Sequence, residues 1–383
     1  MTTKLFGEPV QRVEDAKLVT GGAHFLDDLG QDALAAAFVR SPHAHARVLD
    51  IDVTGALEVD GLVAVYTYDD LVLADETEGS AVADALPLLI PHPSLTSPRT
   101  GYPLARHEVN HVGEAVVMVV AQDRYQAEDA AERVLVTYDV LPPVVGVDNA
   151  RRADRAVHDD VPDNVAAHNL DEVGDVDAAL AAAPHTLTLS LDIERSASMP
   201  MEGKGVHARW DPAEGSMLVH SSTQTSTSVR AAVAARLGLP LGKVDCVAPM
   251  VGGGFGVKIV HPWPEEVLVP WAAKRLGREV KWVEDRREHF VSSAHERGQL
   301  QEITVSFDDD GRLLALDVRF WHDNGAYTPY GVIVPIITST QLLGPYKPGA
   351  YRCEWWSLYT NTVIVTPYRG AGRPQGVTMT VFV

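Results

Sequence analysis

Apolar and polar positions alternate cleanly along several stretches of the chain. Residues 47–53 read Arg-Val-Leu-Asp-Ile-Asp-Val, and residues 186–192 read Thr-Leu-Thr-Leu-Ser-Leu-Asp. Period-two alternation predicts strands with one buried face. Residues 34–40, 64–67, 134–138, 205–210 and 217–221 are further strand candidates. Residues 114–121 form a continuous apolar run, the pattern of a central strand covered on both faces. Residues 302–307 and 313–320 flank Asp309-Asp310-Gly311 and predict a hairpin. Helical spacing begins at Tyr68 and recurs over 125–133, 175–183 and 225–237. In the last of these, Val229, Val233 and Leu237 share a face and Gly238 supplies the stop. Residues 1–30 read as an extended arm, with Phe25 and Leu26 as an anchor. Residues 146–185 are acidic and rich in Ala and read as a linker. No internal repeat is present. The mixture predicts an α+β chain.

The stretch with most chemical content runs from Val244 to Lys258. An apolar run up to Val251 is followed by Gly252, Gly253, Gly254 and Gly256, with Phe255 among them. A helical pattern then starts after Pro262 and Pro264. Glycines lack a Cβ and accept positive φ, so backbone N–H groups there can approach a ligand closely. Val257 before Lys258 breaks the phosphate-loop pattern, and no third glycine completes a dinucleotide fingerprint.

Composition narrows the options. A chain of 383 residues can bury more than one core. A formal charge of −20 argues against a nucleic-acid or anionic-membrane partner, since phosphate contacts need clustered Lys and Arg. Cys246 and Cys353 are the only cysteines, too few for a disulfide framework or a cysteine-rich cluster. The N-terminus has no apolar signal region and no run reaches membrane-spanning length, so the chain reads as cytoplasmic. It ends in an apolar run, 378–383, without a stop signal, which predicts a sequence that is cut short.

Four stretches agree on one resemblance. Gly7 to Gly21 is spaced G-x-x-x-x-R-x-x-D-x-x-x-x-T-G, and Arg40-Ser-Pro-His-Ala-His-Ala46 follows. Gln224 precedes Gly252-Gly-Gly-Phe-Gly256, and Tyr368-Arg-Gly-Ala-Gly-Arg-Pro374 comes last. Together they resemble the molybdenum hydroxylase family of xanthine dehydrogenase, aldehyde oxidase and aerobic carbon monoxide dehydrogenase. The resemblance implies an arm over 1–17, an α/β-hammerhead domain over 18–145, the linker over 146–185, and the first portion of a molybdopterin-binding domain over 186–383. It also implies a missing C-terminal half of the large subunit, which carries the general-base glutamate, so no catalytic residue is assigned here.

By the same resemblance, the cofactor is molybdopterin, in its cytosine dinucleotide form, held at Gln224, Gly253, Gly254, Phe255, Gly256, Arg369 and Gly370. The metal has no direct protein ligand. Gln224, Phe255 and Arg369 stand around it, with the Gln224 amide donating toward an oxygen ligand of the metal. Phe255, Ile259, Ile337 and Ala371 line the substrate pocket. His43 and His45 lack the spacing and companions of a metal pair and read as structural. Glu202 and Lys204, in or beside the turn Met199-Pro-Met-Glu-Gly203, read as capping or ion-pairing residues, and the charge run Glu284-Asp-Arg-Arg-Glu-His289 after Lys281-Trp282 reads as a solvated face or a subunit contact.

Departures narrow the chemistry. The copper-binding cysteine of carbon monoxide dehydrogenase is matched by Gly370, which excludes a molybdenum–copper site. The charged residues that contact purine are matched by Ile259 and Ile337. The implied reaction is hydroxylation of an aldehyde or N-heteroaromatic carbon with water-derived oxygen. Electrons then pass to 2Fe–2S and FAD centres on partner subunits, in a dimer of heterotrimers. The alternative is a non-catalytic cofactor-binding or assembly protein that retains the fold.

Overall fold

A computed structural model describes residues 6–259 and 262–382. The first five residues of the expected arm and Val383 lie outside the described residues. A seven-stranded sheet runs in the order Val244–Val247, Ser216–Ser221, Gly205–Asp211, Val280–Val283, Leu34–Arg40, Ala115–Ala121, Leu62–Tyr66. Strands from before and after the acidic stretch 146–185 therefore share one sheet. The join is parallel, with Leu34 opposite Val280. Ala115–Ala121 is buried at every position, as its unbroken apolar run requires. One face of this sheet packs Phe38, Met118 and Trp282 against Val267 and Trp271 of the helix Pro264–Leu276. The other face packs Val117 and Val119 against Ala130 and Val136. These come from the helix Arg124–Glu132 and from a three-stranded sheet of Glu108–Val109, Ala46–Asp52 and Leu135–Val140.

A five-stranded sheet has the order Val165–Val173, Ala350–Tyr359, Leu313–Gly325, His295–Phe307, His185–Ala197. The expected hairpin is its centre, with Ile303 opposite Val318. Two helices, Ile333–Gln341 and Arg373–Phe382, lie against it. Val332, Leu342 and Met379 share a core with Phe320 and Trp355.

The acidic stretch read as a linker is built into this sheet. It carries the helix Val147–Arg152, the edge strand Val165–Val173 and the helix Val176–Ala182. Ala166 and Ala167 are fully buried. Arg352 of the neighbouring strand pairs with Glu172 and Asp177, so charge that suggests a solvated segment is compensated across the strand pair. The arm contains a short helix, Asp15–Val19, and Leu26 is buried as its anchor. Among the described residues, no helix is long and apolar enough to cross a membrane.

Candidate cofactor-binding site

The apolar run before the glycines forms a strand only over Val244–Val247, and residues 248–251 already belong to the loop. Gly253 has φ +97°, Phe255 +55° and Gly256 +119°. A Cβ on Gly256 would lie 1.8 Å from the Pro367 carbonyl oxygen, and one on Gly254 would lie 2.5 Å from Gln224 Oε1. The glycines are therefore required by close approach as well as by φ. Phe255 accepts an unfavourable backbone conformation, and the residue remains 41% exposed.

Gln224 follows the strand Ser216–Ser221 and precedes the helix Ser226–Arg236. Its N–H donates to the Lys258 carbonyl at 3.0 Å. Its Oε1 accepts the Gly256 N–H at 2.9 Å. That bond orients the amide with Oε1 toward the loop and leaves Nε2, which meets no acceptor among the described residues, as the donor end. The second loop joins at the same point, where the Arg369 N–H donates to the Phe255 carbonyl at 2.8 Å. Gly370, Ala371 and Gly372 have φ of +115°, +49° and +91° in succession, and the helix Arg373–Phe382 follows. The Arg369 side chain is exposed. A Cβ on Gly370 would lie 2.8 Å from the Pro374 ring, so a side chain at this position would be both strained and crowded.

The structure thus brings Gln224, Gly253 to Gly256, and Arg369 to Ala371 together. Ile259 is half-buried in an apolar cluster with Val257, Trp263 and Ile364 on the glycine-loop side. Ile337 sits on the helix Ile333–Gln341, which meets the second loop at Gly372. Among the described residues the two isoleucines fall in no shared apolar cluster.

Beneath the glycine loop lies a buried polar set: the ion pairs expected of Glu202 and Lys204 are made, while Glu284 and His289, read as part of a solvated charge run, are buried because they compensate each other and Lys204 pairs with Glu284. Glu202 Oε2 accepts the Gly252 N–H at 2.7 Å, the Ser222 hydroxyl at 2.6 Å and Lys258 Nζ at 2.9 Å. Burial pushes the Glu202 carboxyl up, but the Ser222, Lys258 and Gly252 donors outweigh it and hold it below its ordinary value. Burial depresses the Lys258 ammonium against the pull of Glu202. The available signal was a lysine placed just after a glycine loop and flanked by apolar residues. Deeper still, Glu284 takes the Lys204 N–H at 2.9 Å and His289 Nδ1 at 2.7 Å. Burial opposes the charge on Glu284, and Lys204 and His289 overcome it and hold the carboxyl well below the usual range.

His45 and His43 lie elsewhere. His45 pairs with Glu108 at 2.9 Å and His43 sits edge-on to Tyr138. Cys353 is buried and Cys246 half-buried, and burial pushes both thiols up to about 12.

The cradle fits an oxygen-rich anionic ligand. Among the described residues, the N–H groups of Gly253, Gly254 and Phe255 meet no protein acceptor. Gly253, Phe255 and Gly256 have positive φ and Gly254 does not, an alternation of backbone hand of the kind that builds anion-binding concavities. Gln224 Nε2 and the exposed Arg369 add two side-chain donors.

Comparison with known proteins agrees with this geometry. The model of the molybdopterin cofactor-binding domain matches residues 157–380. That of the aldehyde oxidase and xanthine dehydrogenase a/b hammerhead domain matches residues 20–142. The nicotine 6-hydroxylase large subunit of Paenarthrobacter nicotinovorans is 32% identical over 98% of this chain and 46% of its own length. The carbon monoxide dehydrogenase large chain of Hydrogenophaga pseudoflava is 33% identical over 82% of this chain and 39% of its own. Quinoline 2-oxidoreductase from Pseudomonas putida 86 superposes with a TM-score of 0.88 at 32% identity, over 95% of this chain and 45% of that one. The chain spans about half the length of the curated relatives it matches, or less. With a cradle assembled from the motifs of two loops and both domain models matched, the chain belongs to the molybdopterin-binding aldehyde oxidase and xanthine dehydrogenase family.

Proposed function

We propose that the chain is the cofactor-cradling part of a molybdenum hydroxylase large subunit, acting in the cytoplasm on an aldehyde or N-heteroaromatic carbon. The observation that carries this reading is the joining of Gln224, the glycine loop and the Arg369 loop by the Gly256 and Arg369 N–H bonds. When bound, molybdopterin, in its cytosine dinucleotide form on this reading, supplies a metal centre that takes two electrons from the substrate carbon as water-derived oxygen is added.

The chain's own residues would bind and orient. The N–H groups of Gly253, Gly254 and Phe255 and the Gln224 Nε2 would donate to anionic oxygens, and Arg369 would add positive charge. The exposed Phe255 ring offers a flat apolar face to an aromatic or aldehyde substrate. Ala371, two residues after the Arg369 that bonds Phe255, would present only a methyl group to substrate. With Ile259 and Ile337 where purine oxidation would call for charged partners, a purine's polar edges would go unpaired at about 1–3 kcal/mol each. Gly370 offers no thiolate for copper.

Proton abstraction falls to a residue outside this set. Glu202 holds four donors, Glu265 pairs with Arg40 at 2.6 Å, and Glu266 accepts from Ser221 and Trp263. We assign the base to the C-terminal half of the large subunit, and electron transfer onward to 2Fe–2S and FAD subunits in a dimer of heterotrimers.

The test is purification of the chain with everything that accompanies it in its native host. Molybdenum without stoichiometric copper, a pterin that releases cytidine monophosphate, and dye reduction with aldehydes or N-heterocycles are expected. Stoichiometric copper, or no pterin, overturns the reading. Retained pterin with no turnover on any such substrate would mark the chain as a cofactor-binding protein instead.

A further inference from the structure

Lys258 has a fully buried side chain, yet it stands in the turn, residues 255–259, that closes the glycine loop. Its ammonium donates to Glu202 Oε2 at 2.9 Å and to Ser222 Oγ at 2.6 Å. The Ser222 hydroxyl in turn donates to the same Glu202 oxygen at 2.6 Å. That oxygen also accepts the N–H of Gly252, the first glycine of the loop, at 2.7 Å. The other carboxylate oxygen accepts the Leu26 N–H from the N-terminal arm at 3.3 Å. At its main chain, the Lys258 carbonyl accepts the Gln224 N–H at 3.0 Å and the Thr223 hydroxyl at 3.2 Å. One residue therefore grips the start of the loop through an ion pair and Gln224 through its carbonyl.

A buried ion pair adds little net stability over well-packed apolar groups of similar volume, because desolvation offsets the attraction. Its worth lies in geometry. An ammonium and a carboxylate that share a hydroxyl have one low-energy arrangement, and here that arrangement fixes where Gly252 and Gln224 sit. Gly253 to Phe255 hang between those two points.

We propose that Lys258, through Glu202 and Ser222, is the positioning residue of the cradle, holding the loop N–H groups and the Gln224 amide in register for molybdopterin. This rests on the cofactor reading above. Lys258 touches no part of the cradle's open side and acts through Gly252 and Gln224.

The test uses the chain in the complex it forms in its native host. The double variant Lys258→Met with Glu202→Gln removes both charges together and keeps an acceptor for the Gly252 N–H. It is expected to fold with native circular dichroism, to lose pterin at least about tenfold, the scale of outer-shell substitutions, and to show an altered molybdenum(V) paramagnetic signal in what remains. Ser222→Ala, which leaves the ion pair, is expected to lose pterin partially and shift the same signal. Arg40→Met with Glu265→Gln, at a buried pair that makes no hydrogen bond to the loop, Glu202, Ser222 or Lys258, is the control and should keep wild-type pterin per folded chain. Wild-type pterin content with an unchanged signal in the double variant, or in Ser222→Ala should the double variant not fold, overturns the inference. Equal pterin loss in the control also overturns it, since the effect would then be general destabilisation. A wild-type complex without pterin overturns the cofactor reading itself.

Discussion

At the scale of single residues, the cradle depends on atoms that are missing. Gly256 combines a φ of +119° with a 1.8 Å approach of its would-be Cβ to Pro367 O, so Gly256→Ala has no relaxed conformation with both loops in place. We expect it to lose at least about 2 kcal/mol of stability, from backbone strain and displaced carbonyl together, measured by denaturant unfolding. A variant as stable as wild type would mean that the loops do not interlock as described. Gln224 is a different case, because its side chain is exposed and its deletion leaves no cavity. Gln224→Ala removes the acceptor for the Gly256 N–H and the outward amide donor. It should leave the melting temperature within a few degrees while weakening pterin retention about 10–100-fold. Both glycine loops were legible from sequence because glycine clusters are locally conspicuous. The burial of Lys258 had only the hint of its apolar neighbours Val257 and Ile259, since its partners Glu202 and Ser222 lie far away in sequence.

At the scale of elements, three pieces distant in sequence meet at one guanidinium. Arg40, at the end of the strand Leu34–Arg40, pairs at 2.6 Å with Glu265 of the helix Pro264–Leu276 and at 2.6 Å with Glu288 of the helix Arg286–Ser292. Arg40→Met alone would strand two buried carboxylates beside each other. A loss of about 3–5 kcal/mol is expected, and adding Glu265→Gln should recover part of it. Thermal unfolding of the two variants side by side checks this, and equal stability of single and double variants would contradict it. The edge strand Val165–Val173 carries the opposite lesson for reading elements. Its Ala166 and Ala167 are buried while Asp171 and Glu172 face outward, and composition alone made it look like a tether.

At the scale of the whole molecule, burial of ionisable groups sets how stability responds to pH. Glu266 is enclosed, and burial pushes its carboxyl up from 4.5 to about 7 despite the donors Ser221 and Trp263. A raised carboxyl favours the protonated form in the fold. Its contribution is complete below 4.5 and is lost as pH rises through about 7. Glu266→Gln should therefore match wild type near pH 4.5 and exceed its melting temperature by a few degrees at pH 8. A constant difference across that range would refute the assignment. His322 and His295 act in the other direction. Burial lowers both from 6.5 to about 4, so the unfolded chain takes up protons that the fold refuses. Stability from these two is complete above 6.5 and is lost as pH falls through about 4.

The sequence by itself determined what is local. Period-two alternation placed strand residues within Ala46–Asp52 and His185–Ala197, the turn Asp309-Asp310-Gly311 placed the hairpin, an unbroken apolar run placed Ala115–Ala121, and glycine spacing marked both loops. Each of these follows from backbone sterics or from which face of a strand is buried, and both are written in neighbouring residues. The family resemblance added which loops belong together. Tertiary structure alone decided how they meet: that Gly256 packs on Pro367, that Phe255 O takes the Arg369 N–H, and that Gln224 turns its oxygen inward. It also decided that Lys258 and Glu202 face each other in the interior, and that an acidic segment finds Arg352 across a strand pair. These outcomes depend on the order of strands in the sheets and on close approach between distant segments. No local pattern encodes such distances, because the same residues would be equally at home on a solvated surface.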